Sequence, residues 1–111
     1  MTEFSVLNEL VDEEVETLDR TQRPFRTNKE VYDAISHELK ELLEPVEQIK
    51  WLMEYDIPKT LRKEEAINPT LIKVDFYAET VAQKAIQISA LCTRAILMDE
   101  NEDGERKPAD Y

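Results

Sequence analysis

Residues 28–46, NKEVYDAISHELKELLEPV, constrain this chain more than any other stretch. Val31, Ile35, Leu39, Leu42 and Val46 recur at steps of three and four, the period that lines apolar side chains along one side of an α-helix. Glu38 and Glu41, three apart, then stand side by side at one edge of that stripe. Such a pair either holds a divalent cation or forms the polar rim of a helix.

One glycine in 111 residues, few β-branched alternations and an abundance of Leu, Ala, Glu and Lys extend the helical reading to the whole chain. A chain of this length predicts one domain, with a core and no separate substrate domain. Lys and Arg number 14 against 25 Asp and Glu, a net charge of -11 with His37 neutral. Self-repulsion of that size disfavours nucleic acid or an anionic membrane as a direct partner, yet it admits a phosphorylated small molecule that arrives with a metal. Cys92 stands alone, which argues against an internal disulfide and a cysteine zinc site. The sequence has no apolar run of about 18 residues and no basic-then-apolar leader, so a cytoplasmic address is expected, in a bacterium or a phage-infected host cell.

Around the 28–46 helix the other elements fall into place. Thr2 is placed to cap a first helix reaching about Asp19, with Phe4, Leu7, Leu10, Val11, Val15 and Leu18 on its apolar stripe and Glu14 inside it. Pro24 ends that helix and Thr27 or Asn28 can cap the next. Arg20, Arg23, Arg26 and Lys29 gather in this connection. Arginines in a loop suit phosphate oxygens, and they equally suit the acids of their own chain, the commoner use in so acidic a protein. Pro45 predicts the start of a third helix or a kink, with Val46, Ile49, Leu52 and Met53 inward and Trp51 under a loop or at a subunit contact. Pro58 and Pro69 bracket a charged connection.

A last helix over about 70–98 carries Val74, Val81, Ala85, Ile88, Cys92, Ala95 and Ile96 on one face, widened by Ile86, Ala90 and Leu97. That width asks for a second neighbour, either another helix or another subunit. The fold expected is an all-α antiparallel bundle of about four helices over 1–98 that self-associates into a homo-oligomer, followed by a loose acidic tail over 99–111.

No glycine-rich phosphate loop, nucleophile elbow or zinc-helix motif occurs, which removes the P-loop, dinucleotide and serine-hydrolase readings. The first helix, the 22–25 turn, NKEVYDAISHELKEL and a terminal helix containing KAIQISALCTRAI together resemble the MazG-like all-α nucleoside triphosphate pyrophosphohydrolases, particularly those carried by bacteriophages. The resemblance covers roughly residues 9–96. It implies magnesium on the E-x-x-E pair of the second helix, matched here by Glu38 and Glu41, and hydrolysis of a nucleoside triphosphate to monophosphate and pyrophosphate.

In that family a later helix supplies E-x-x-D, and the small-residue run ISALCTRAI puts Lys84 and Gln87 at those two positions. A protonated lysine does not ligate magnesium, and an amide is a poorer ligand than a carboxylate. Two arrangements follow. Asp75 and Glu79, one turn apart on the same helix, serve as displaced metal ligands, with Arg23 and Arg26 steadying the phosphates. Alternatively the Lys84 ammonium replaces the cation against Glu38 or Glu41, and the fold persists as a catalytically inactive binding or assembly protein, such as a phage accessory protein.

No residue presents itself as the catalytic base. His37 points about 100° away from Glu38 around the helix, so it reads as a poor partner for the same metal. Cys92, Tyr32 and Tyr77 read as core residues, although either tyrosine has the shape to stack on a base. A third reading, an acidic protein that mimics the charge of nucleic acid, suits the net charge and conflicts with the interspersed Lys and Arg.

Overall fold

Helix α1 covers Phe4–Thr21, α2 Asn28–Trp51, α3 Ile57–Arg62 and α4 Asn68–Asn101. The computed structural model describes residues 4–101, and the side chains of 5–98. The Thr2 cap, the side chain of Phe4 and the tail from 102 onward therefore lie outside the described residues. The described residues hold no strand, and no helix among them is long and apolar enough to cross a membrane.

Leu52–Asp56 form a five-residue π turn that carries α2 into α3 without a break. Trp51, Asp56 and Ile57 keep right-handed helical dihedrals, and the Ile57 N–H donates to the Leu52 carbonyl five residues back. Pro58 accounts for the wider turn. It has no N–H for the Glu54 carbonyl and its ring crowds that carbonyl, so the preceding turn opens to make room. No new helix starts at Pro45, which lies within α2 with its ring buried. The all-α expectation thus holds, with three helical rods because α2 and α3 run on as one, packed antiparallel as α1 on α4 and α2 on α4.

Thr27 caps α2 as expected, its Oγ1 accepting the Glu30 N–H at 3.1 Å, while the Glu30 carboxylate accepts the Arg26 N–H at 2.7 Å. The arrangement is a capping box displaced by one residue, since the carboxylate takes the N–H of Arg26 rather than that of the Thr27 cap itself. After α3 the chain turns through Glu64, whose φ of 57° is left-handed. The Glu65 N–H reaches back to the Thr60 carbonyl at 3.1 Å, the closing bond of a helix end that glycine usually serves.

The chain forms two compact units. In the first, which joins the chain up to Leu39 with the chain from Ala85 onward, Leu18, Leu91 and the fully buried Ala90 make the core. Val11, Val15, Phe25, Ala34 and Ile35 pack around them. Arg94, 3 % exposed, ties this unit together. Its Nε donates to Asp19 at 2.8 Å, and its Nη2 donates to the carbonyls of Gln22 at 2.8 Å and Arg23 at 3.0 Å. The guanidinium also lies over the Phe25 ring, 5.3 Å from its centroid.

In the second unit, Lys40–Lys84, the buried side chains are Pro45, Leu52, Ile57 and Thr70. Thr70 donates to Asp56 at 2.6 Å and so fastens the first turn of α4 to the π turn. Leu7, Leu10, Leu39, Met53 and Ile96, all expected in the core, are exposed. Three helices bury one side of each stripe, and the edges of the stripes face outward.

Candidate functional site

The local geometry of α2 brings three candidate ligands together. His37, Glu38 and Glu41 each offer one ligand atom, and these atoms lie within 4.8 Å of one another. His37 is exposed and the two glutamates are half-buried. His37, read from its angle to Glu38 as a poor partner, nonetheless has a ring nitrogen within 4.8 Å of a ligand oxygen of each glutamate. Its backbone direction does differ from that of Glu38, but it lies four residues, about one turn, before Glu41. The spacing was legible in the sequence, whereas the convergence of three flexible arms was not.

Lys84 reaches this group from α4. Its Nζ is 2.9 Å from Glu41 Oε1, with side chains 24 % and 39 % exposed. The ammonium therefore already balances one of the two carboxylates of the E-x-x-E pair. Gln87, one turn further along, buries its amide oxygen with no hydrogen-bond partner among the described residues. Asp75 and Glu79 are exposed on α4 and are not members of the His37, Glu38 and Glu41 group.

The basic connection before α2 is occupied by the chain's own acids. Arg23 donates to both carboxylate oxygens of Glu30, at 3.4 and 3.0 Å, and Arg26 lies 3.8 Å from the same group. These contacts, the Arg23 hydrogen bond first and the Arg26 N–H second, hold the Glu30 carboxyl below its ordinary range. Lys29 pairs with Asp33 at 3.0 Å. Of the aromatic residues, Tyr32 is exposed rather than in the core, one position off the Val31 and Ile35 stripe, while Tyr77 and Cys92 are half-buried.

An imidazole nitrogen with two carboxylates is a donor set that fits a divalent cation. Magnesium would rest on the glutamates and water, whereas manganese, cobalt or zinc would also use the imidazole. Any such ion competes with Lys84 for Glu41. No family model, curated protein or solved structure matches this chain.

Proposed function

We propose that the chain is a MazG-like nucleotide pyrophosphohydrolase-related protein, in which His37, Glu38 and Glu41 hold a divalent cation and the phosphates of a nucleoside triphosphate. The reading is carried by the convergence of those three ligand atoms within 4.8 Å, on the helix that resembles the family's E-x-x-E helix. When bound, such a cation supplies Lewis-acid stabilisation of phosphate oxygens and a more acidic water. The chain's own part is to orient the ligands from one helix and to balance the Glu41 charge with Lys84 until a cation takes over that role. The exposed Trp51 and Ile72 support association with a second copy of the chain.

The test is pyrophosphate release from a panel of canonical and modified nucleoside triphosphates, with magnesium or manganese. Turnover that disappears in Glu38→Gln is the expected result. Silence across the panel, with no heat of metal binding by calorimetry, overturns the reading.

The Lys84–Glu41 ion pair favours a second reading, in which the ammonium keeps the place of the cation and the chain is an inactive helical binding or assembly protein. Glu38→Gln then alters stability or association alone, with no turnover in the parent protein.

A further inference from the structure

Within the unit Lys40–Lys84, α2 and α4 border an open groove of about 600 Å³. Its chemistry changes along its length. Glu41 and Lys84 stand at one end, Gln48, Phe76 and Tyr77 at the other, and Thr80 between them. Gln48 follows Glu41 by seven residues and Tyr77 precedes Lys84 by seven. On each helix the charged and aromatic ends are therefore about 10 Å apart.

The aromatic end has the makings of a stacking platform. Phe76 and Tyr77 meet edge to face, with centroids 5.6 Å apart at 66°, and Phe76 is 63 % exposed. Gln48 offers both a donor and an acceptor to the edge of a flat ring. A ligand matching this gradient is planar and aromatic with a hydrogen-bonding edge, and it carries its charge at the far end. A nucleoside phosphate has that layout: base, sugar, then phosphates. Glu41 and Glu44 outnumber Lys84 at the charged end, so phosphates enter together with a divalent cation, and Glu41 is common to the groove and to the cation-binding group of α2.

We propose that Phe76, Tyr77 and Gln48 form a nucleobase subsite, with Phe76 stacking on the base, Tyr77 bracing the Phe76 ring edge to face and Gln48 reading the base edge. This rests on the reading of α2 as a holder of a metal-bound nucleotide.

Calorimetry on the full chain with Mn²⁺ tests it, using a nucleoside triphosphate analogue that is uncleavable between the α- and β-phosphates, and inorganic tripolyphosphate. The analogue is expected to bind at least about tenfold more tightly than tripolyphosphate. Phe76→Ala should weaken the analogue about tenfold or more, the size of one lost base stack, with Mn²⁺ and tripolyphosphate affinities within about twofold. Phe76→Trp should preserve binding, and Gln48→Ala should change the ranking of bases. The subsite is overturned if Phe76→Ala and Gln48→Ala leave analogue affinity unchanged, or if Phe76→Ala only shifts the sedimentation coefficient, the mark of a face covered by a second copy. If Mn²⁺ does not bind, the reading of the α2 group fails separately. The subsite is then judged with the unphosphorylated nucleoside: shifts in the Phe76 and Tyr77 ring resonances sustain it, and their absence overturns it.

Discussion

Lys84 Nζ lies 2.9 Å from Glu41 Oε1, an ion pair that spans 43 positions of sequence. For a cation approaching Glu41 this ammonium is a competitor. Lys84→Met keeps the apolar stem and removes the charge, so Mn²⁺ affinity should rise about fivefold, the worth of a partly exposed pair near 1 kcal/mol. Stability should fall by no more than about 1 kcal/mol. An unchanged Mn²⁺ titration would remove Glu41 from the ligand set.

The Arg94 guanidinium serves three acceptors and a ring at once. Lysine retains the charge but not the planar fork. Arg94→Lys should cost about 2–3 kcal/mol in urea unfolding, because charge-assisted bonds from a buried guanidinium are lost, with a fall in Tm of about 10 °C. A loss below about 0.5 kcal/mol, within the range of an ordinary surface substitution, would show that Arg94 does not hold the α1–α2 connection.

At Glu64 the chain holds a left-handed φ of 57° that strains any side chain with a Cβ. Glu64→Gly should stabilise the protein by about 0.5–1 kcal/mol, while Glu64→Val should destabilise it. Thermal melts of the three proteins side by side provide the comparison.

Glu30 links stability to pH. Its folded carboxyl titrates below the ordinary value of 4.5 because Arg23 and the Arg26 N–H favour the charged form. Its contribution is therefore fully present above about pH 5 and is lost as the pH falls through the lowered folded value. Glu30→Gln should be less stable than the parent at pH 7, and the two should converge in acid. Parallel denaturation curves at pH 7, 4.5 and 3 would expose any failure to converge.

Much of the helical layout was legible because helix formation is local. Steps of three and four residues announced α1, α2 and α4, Thr27 announced its cap, and Glu38 and Glu41 had to be neighbours once 28–46 was helical. The nearness of His37 to Glu41 follows from the same rule, since four residues make about one turn. What depended on packing was not legible. Pro45 reads as a new start or a kink in any local scheme, yet α2 runs through it with its ring buried, and a π turn precedes Pro58. Leu39 and Met53 look like core residues until one knows how few helices surround them.

The sequence by itself determined the helical class, the acidic balance and which side chains share a face of α2, since each depends on composition or on neighbours within a turn. Only the tertiary structure decided that Lys84 meets Glu41 and that Arg94 closes on Asp19, 75 positions away. Periodicity says which face is apolar, but not which faces pack together, and long-range pairs exist only once that packing has been chosen.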